Sequence, residues 1–126
     1  MKLRILMFED SEDWKGSFER LLKRRLSKKE ITFDLTHKLN IETVMQDLQF
    51  PQDIILVDFD LGTSSGEDVL HQINGDPDFK SCKIFFYSGG VTVEELRGIA
   101  QNYDGGYIRC STKDDLEEAI AKLYHC

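Results

Sequence analysis

The sequence is poor in cysteine, with three in 126 residues. Their odd number and unrelated spacings do not fit a disulfide framework, and a reducing cytosol suits such a chain. The sequence also lacks an apolar run long enough to cross a membrane and the cleavage pattern of a signal peptide. Basic residues are outnumbered, because 16 Lys and Arg face 23 Asp and Glu and leave a net charge of −7. These absences predict a soluble, cytoplasmic protein that binds neither membranes nor nucleic acid.

Residue patterns that mark several kinds of reaction centre are missing as well. The histidines His37, His71 and His125 are widely separated and have no zinc-ligand spacing. No glycine-rich phosphate loop occurs, and no Cys/His or Ser/His/Asp arrangement stands out. The content of 40% hydrophobic and 31% charged residues is that of an ordinary globular protein. We therefore expect residues 1–126 to form one domain, with no effector domain present.

The most informative stretch is Ile54–Gly66. Its apolar residues, Ile54 to Val57, run directly into Asp58 and then into a polar turn that contains glycine. An unbroken apolar run of this kind is typical of a strand buried on both faces of a parallel sheet. Ser64 and Glu67 have the spacing of a capping box, which predicts the start of a helix. Asp58 is thus predicted at the carboxyl end of a strand, where ligands bind in open α/β sheets.

Strand and helix patterns alternate along the whole chain. Strands are predicted at Leu3–Phe8, residues 31–35, Ile54–Val57, Lys83–Tyr87 and Tyr107–Arg109. Apolar residues at helical spacing follow each of them, the second helix spanning Ile41 to Leu48. Five strands alternating with five helices predict an α/β fold, a flavodoxin-like (βα)5 three-layer sandwich. Its parallel sheet is expected in the strand order 2-1-3-4-5, with the second strand at an edge.

Acidic residues are predicted to meet at one edge of this sheet. Glu9 and Asp10 follow the first strand, Asp58 follows the third, and the predicted order makes these strands neighbours. Their mutual repulsion would be relieved by a hard divalent cation such as Mg²⁺. Helix capping is the alternative, but it does not explain paired acids that face a third. We therefore favour a metal site, at which a carboxylate could also attack a phosphoryl group.

With these residues in this order, the chain resembles the receiver domain of bacterial two-component response regulators. The resemblance covers the whole chain in element order and length. Its markers are the acidic residues described above, Gly66 eight residues after Asp58, Ser88 after the fourth strand, and the aromatic Tyr107 in the fifth. Each marker is common by itself, and their joint order and spacing carry the resemblance.

The resemblance implies a role for each acidic residue. Asp58 would be the phosphoacceptor, phosphorylated by a histidine kinase or a histidine phosphotransfer protein. Mg²⁺ would be bound by Glu9, Asp10, Asp58 and the backbone carbonyl of Asp60. Phosphorylation would then change a surface on which partners dock, such as an effector domain or a second copy bound through the last two helices.

The resemblance also implies roles at the ends of the last two strands. Ser88 would hydrogen-bond a phosphoryl oxygen, and Tyr107 would be the switch aromatic that reports phosphorylation. A turn at the strand end and a core ring are the structural alternatives for these two residues. The family's lysine–proline pair is not found at the expected place. Counting back from the last helix assigns Arg109 to the lysine position, counting forward from Tyr107 assigns Cys110, and Lys113 is expected in the helix start.

Three functions are compatible with this pattern. The first is a phosphoacceptor domain that is not an enzyme, apart from Mg²⁺-dependent self-phosphorylation and autodephosphorylation. The second is a degenerate pseudo-receiver that binds a partner constitutively, and Arg109 in place of a lysine supports it. The third is a small Mg²⁺-dependent phosphatase with Asp58 as nucleophile and Asp60 as a second acid, although no cap domain is recognisable in so short a chain.

Overall fold

The structure, a computed structural model, describes residues 1–38, 52–62, 65–74, 81–103 and 107–124, and these residues form five strands and four helices. The strands are β1 Lys2–Phe8, β2 Thr32–Lys38, β3 Ile54–Asp58, β4 Lys83–Ser88 and β5 Tyr107–Thr112. The helices are α1 Glu12–Ser27, α2 Gly66–Ile73, α3 Val93–Ala100 and α4 Leu116–Leu123. The helix predicted for Ile41 to Leu48 lies outside the described residues. Among the described helices, none has the length and apolar character that a membrane span requires.

The strands form a single parallel sheet in the order β2-β1-β3-β4-β5, as predicted. β3 lies at the centre, paired with β1 on one side and β4 on the other. All five of its residues are buried, because helices cover both faces of the sheet. The edge strand β2 alternates between exposed and half-buried residues, which is the expected pattern for a strand with one open edge. The flavodoxin-like architecture is therefore confirmed.

Two apolar layers hold the helices against the sheet. On one face, Phe18 and Leu22 of α1 and Ile120 of α4 pack on strand residues that include Ile5 and Met7. On the other face, α2 and α3 pack on the intervening strand positions. The helix residues are Val69, Ile73 and Leu96, and the strand residues include Leu6, Phe8, Ile55 and Val57. Both sets of strand residues are buried because alternate side chains point to opposite faces. The result is a three-layer sandwich whose strand ends lie free at one edge.

The start of α2 differs by one residue from the prediction. Ser65 is the N-cap, and its hydroxyl accepts a hydrogen bond from the N–H of Asp68 at 3.4 Å. The carboxylate of Asp68 accepts one in return from the N–H of Ser65, also at 3.4 Å. The predicted capping box of Ser64 and Glu67 is therefore wrong. Both pairs have the same spacing, and the packing of the helix on the sheet decides between them.

Gly66, the first residue of α2, packs on the end of β3, where an added Cβ would lie 2.8 Å from the carbonyl carbon of Asp58. We expect Gly66→Ala to destabilise the protein by about 1–3 kcal/mol, because the backbone must move to relieve this overlap. Urea unfolding at equilibrium measures the loss. Gly98→Ala in α3 is the control, since no atom lies within 4 Å of its Cβ position. It should stabilise by about 0.5–1 kcal/mol through helix propensity, and a similar loss in both variants would contradict the explanation.

Candidate functional site

Acidic side chains from two neighbouring strands meet at the carboxyl end of the sheet. Glu9 and Asp10 directly follow β1, and Asp58 ends β3, which pairs with β1. Carboxylate oxygens of the three residues lie within 4.8 Å of one another. Glu9 and Asp58 are buried, whereas Asp10 is exposed. The predicted acidic cluster is therefore present, and solvent reaches it from the side of Asp10.

Lys113 brings a positive charge to this cluster. β5 continues to Thr112 instead of ending at Arg109, and the N–H of Lys113 donates to the carbonyl of Ser88 at 3.1 Å. The Lys113 ammonium nitrogen lies 3.3 Å from Glu9 Oε1 and 3.5 Å from Asp58 Oδ2. The expectation that Lys113 belongs to the helix start is wrong, because α4 begins only at Leu116.

Arg109 is not part of this site. It lies in β5 and pairs with Phe85 of β4, and the residue is exposed. It lines a separate cavity of about 540 Å³ together with Arg97 and Tyr103. The prediction that Arg109 occupies the lysine position is therefore wrong. It fails because the predicted strand ends at Arg109, whereas β5 continues through the polar residues that follow, to Thr112. Matching β5 to the six residues of β4 would have extended it to Thr112 and placed Lys113 at the site.

Tyr107 lies at the opposite end of the sheet from the acidic cluster. Its backbone pairs with Lys83, where β4 and β5 begin, whereas Ser88 pairs with Thr112 where they end. The side chain of Tyr107 is outside the described part of the structure. The register thus separates the backbone of Tyr107 from that of Ser88 by the length of the strands, and the switch role of Tyr107 stays a prediction.

Ser88 is buried at the end of β4, and its hydroxyl is held in a fixed position. The hydroxyl oxygen accepts hydrogen bonds from the N–H groups of Gly90 at 3.0 Å and Val91 at 2.9 Å. These two bonds occupy both lone pairs, so the hydroxyl hydrogen is left to donate. The turn expected as an alternative role is therefore present, and it leaves Ser88 a donor at the wall of the site.

A cavity of about 250 Å³ opens above Asp58. It is lined by Asp10, Asp60, Ser88 and Lys113, together with residues of the turn after β4. The N–H of Asp60 donates to Asp58 Oδ1 at 3.3 Å. The role of the Asp60 carbonyl as a metal ligand stays a prediction. The cavity lies below the usual volume of a drug-sized ligand pocket, about 300–1,000 Å³, and suits a phosphoryl group with a metal ion.

The site is short of positive charge. Burial and the charge of Glu9 raise the pKa of Asp58 to about 7, although Lys113 and the N–H of Asp60 act in the opposite direction. Burial lowers the pKa of Lys113, but the charges of Asp58 and Glu9 outweigh it and raise that pKa overall. If all were charged, three carboxylates and one ammonium would leave a formal charge of −2. Oxygen donors with this charge fit a hard divalent cation such as Mg²⁺.

Residues for which the sequence predicts no role at the site hold Glu9 in place. Its Oε1 accepts a hydrogen bond from the Tyr87 hydroxyl at 3.0 Å, and its Oε2 accepts one from the N–H of Ser11 at 2.8 Å. His37 Nε2 lies 2.6 Å from the carbonyl oxygen of Glu9. A carbonyl only accepts, so this nitrogen carries the proton. Tyr87 and His37 are 78 and 28 residues away from Glu9 in the chain, and no local pattern marks them.

Solved structures with the same architecture include response regulators. The match to DrrB of Thermotoga maritima, an OmpR/PhoB homolog, covers 97% of this chain and 50% of DrrB, with a TM-score of 0.66 and 14% sequence identity. A Burkholderia pseudomallei response regulator was solved with a phosphorylated aspartic acid, calcium ion and citrate. The match covers 98% of this chain and 66% of the Burkholderia chain, with a TM-score of 0.69 and 18% sequence identity. The match to Vibrio cholerae chemotaxis protein CheY4 covers 98% of this chain and 96% of CheY4, with a TM-score of 0.66 and 13% sequence identity. The chain has the receiver-domain fold.

This likeness confirms the receiver resemblance at the level of the fold. No protein-family model matches the sequence, and no curated protein does. The chain spans half the length of DrrB and 66% of the Burkholderia protein, and 96% of the chemotaxis protein. Identities of 13–18% establish a shared architecture, whereas activity depends on the residues at the site.

The raised pKa of Asp58 has a consequence for stability in metal-free buffer. The folded chain holds a proton on Asp58 up to about pH 7, whereas the unfolded chain releases it near 3.8, so this group's stabilising contribution is lost as pH rises between these values. We expect Asp58→Asn to be more stable than wild type by about 1–3 kcal/mol at pH 8 and by less at pH 5. Thermal unfolding with a chelator present measures both differences.

The control for this comparison is Asp34→Asn, which removes a carboxylate from an exposed position on the edge strand. It should change stability by less than about 0.5 kcal/mol at either pH. An Asp58→Asn variant whose gain does not depend on pH would contradict the proposed electrostatic origin.

Proposed function

We propose that this chain is a phosphoacceptor domain of two-component signal transduction. A histidine kinase or a histidine phosphotransfer protein would phosphorylate it on Asp58 in a Mg²⁺-dependent reaction. One observation carries the proposal: the carboxylate of Asp58 shares a small cavity with a cation, Lys113, and a hydroxyl donor, Ser88. The phosphorylated aspartic acid of the Burkholderia response regulator supports it, because that protein has the same fold.

The reaction is an in-line displacement at phosphorus. A carboxylate oxygen of Asp58 forms the new O–P bond while the N–P bond of the donor's phosphohistidine breaks, and the leaving imidazole nitrogen keeps the electron pair. The Lys113 ammonium, 3.5 Å from Asp58 in the resting site, pairs with the charge that reaches the phosphoryl oxygens. The Ser88 hydroxyl donates to another of those oxygens, because its own lone pairs are already occupied.

A divalent cation would bind at the acidic cluster during this reaction. Asp10, Asp58 and Glu9 would hold Mg²⁺, with the carbonyl of Asp60 as the backbone ligand, and the ion would neutralise charge on the phosphoryl oxygens. Asp10 is the exposed member of the cluster, so it is the carboxylate that can bind the ion without displacing a neighbour. Glu9 is shared with Lys113 and Tyr87, and it supports the site from the buried side.

Phosphorylation would change the affinity with which partners dock on this domain. A phosphoryl group at Asp58 draws Lys113 and Ser88 toward it, and both residues adjoin the ends of β4 and β5. The arrangement of α3 and β5 would shift between two states and change affinity for an effector domain or a second copy. Any hydrolysis of the aspartyl phosphate would be a slow self-reaction, with water entering between Asp60 and Gly90. The domain would turn over no free substrate.

The alternative of a degenerate pseudo-receiver loses its main support. That hypothesis depended on an arginine in place of the family's lysine, and Lys113 stands at the acidic cluster instead. Retention of function by Asp58→Ala in the cell would favour the pseudo-receiver.

Intact mass after incubation with Mg²⁺ and a small-molecule phosphodonor tests the phosphoacceptor directly. We expect a single phosphoryl adduct on wild type and none on Asp58→Asn, because the amide nitrogen and oxygen are poor nucleophiles. Asp34→Asn on the exposed edge strand is the matched carboxylate control and should form the adduct at the wild-type rate. No adduct on wild type, or an equal adduct on Asp58→Asn, would refute the proposal.

The assignment of Lys113 is tested against Arg109 with the same assay. Lys113→Met should slow adduct formation by about tenfold or more, since it removes the cation that stabilises the transferred phosphoryl group. Arg109→Met removes a cation from the separate cavity and should leave the rate unchanged. The opposite result, with Arg109→Met slow and Lys113→Met normal, would restore the assignment made from the sequence.

A further inference from the structure

Aromatic side chains form a stack beside the acidic cluster, on the face of the sheet covered by α1 and α4. Trp14, the third residue of α1, stacks on Phe18 with ring centroids 5.2 Å apart. Its other neighbour is Tyr87 of β4, at 5.5 Å between centroids. The ammonium nitrogen of Lys113 lies 4.8 Å from the centroid of the Trp14 ring. The stack therefore connects α1 and the sheet to the lysine of the site.

Tyr87 is the polar end of this stack. Its ring is fully buried, and its hydroxyl donates to Glu9 Oε1 at 3.0 Å. The same oxygen lies 3.3 Å from the ammonium of Lys113, so one carboxylate oxygen serves both residues. Because Tyr87 is fully buried, a solvent water cannot take the place of its hydroxyl beside Glu9. Loss of the hydroxyl would therefore leave Glu9 Oε1 with Lys113 as its described partner, and the carboxylate would be placed less firmly.

Trp14 restrains the lysine from another direction. A cation over an indole face is attracted by the ring's negative charge distribution, and indole is the best aromatic side chain for this contact. Lysine has a long, flexible side chain whose ammonium is a point charge without a planar fork. Contacts with Glu9, Asp58 and Trp14 together hold that charge beside the reacting carboxylate before a phosphoryl group arrives. A group that is already in place costs less conformational entropy during the reaction.

We propose that Trp14 and Tyr87 form an aromatic seat that positions Lys113 and Glu9 for reaction at Asp58. The inference rests on the proposed function and adds to it two positioning residues that set the rate of phosphoryl transfer. Trp14 acts through Lys113, and Tyr87 acts through Glu9. Neither ring contacts the phosphoryl group itself.

Tyr87→Phe removes one hydroxyl and keeps the ring, so it tests the seat with little change in packing. At saturating Mg²⁺ and phosphodonor, the rate of adduct formation should fall about tenfold, as when other supporting contacts of a reaction centre are removed. Tyr103→Phe is the matched control, because the Tyr103 hydroxyl also donates to a glutamate, Glu67, at 3.2 Å. That bond joins α2 to the end of α3, and its loss should not change the rate. Equal rates for Tyr87→Phe and wild type would overturn the inference.

A coupling experiment separates positioning from ordinary packing. Trp14→Leu should slow adduct formation about threefold to tenfold in the wild-type background, from loss of a partly desolvated cation–π contact. In the Lys113→Met background it should have no further effect, because no cation is left to be placed. Trp14→Phe, which keeps a weaker aromatic face, should give an intermediate rate and serves if Trp14→Leu unfolds. Equal slowing in both backgrounds would show a structural role and overturn the inference.

Two readouts do not require phosphorylation. In the metal-free protein, Lys113→Met should change the emission of Trp14, the only tryptophan, since the contact with the ammonium is lost. Mg²⁺ titration followed by the same emission should give about tenfold weaker affinity for Tyr87→Phe than for wild type. If wild type forms no adduct, the proposed function fails and these readouts still test the seat. If wild type forms the adduct while the emission and the Mg²⁺ affinity are unchanged in the variants, the aromatic seat is refuted and the proposed function is not.

Discussion

The contact between one lysine and two buried carboxylates governs this site. Asp58 and Glu9 are removed from water at the ends of neighbouring strands, and burial together with the charge of Glu9 raises the pKa of Asp58. Lys113 offsets part of this effect, with its ammonium 3.3 Å from Glu9 and 3.5 Å from Asp58. A single positive charge does not balance the cluster once Asp10 is included. The fold thus presents an oxygen-rich cavity that is suited to a divalent cation and to a phosphoryl group.

The order of the strands makes this arrangement possible. β3 lies between β1 and β4, so the acids that follow β1 meet Asp58, and Ser88 ends the strand on the other side. β5 lies one strand further out, and a long side chain is needed to reach Glu9 from its end. Lysine meets that requirement, and its ammonium lies over the Trp14 ring while it also contacts the carboxylates. Sheet topology and side-chain length together select the residues of the site.

Much of the fold could be predicted because its hydrophobic pattern is clear. The unbroken apolar run before Asp58 identified the central strand, and alternation in residues 31–35 identified the edge strand. Predictions failed where two local solutions look alike. Ser64 and Ser65 both begin a capping-box pattern, and the polar run after Arg109 resembles a loop although it continues β5. In both cases the choice depends on packing or pairing with another element, which a local pattern does not contain.

By itself, the sequence determined the alternation of strands and helices, the order of the sheet, and the meeting of Glu9, Asp10 and Asp58. These follow from hydrophobic periodicity and from chain connectivity, which are local or topological properties. The tertiary structure alone decided which cation joins the cluster and which aromatic rings support it. Lys113 meets Glu9 across 104 residues of chain, and Tyr87 meets it across 78. Such contacts are settled by strand length, register and side-chain reach in the packed sheet, and only the folded chain sets these.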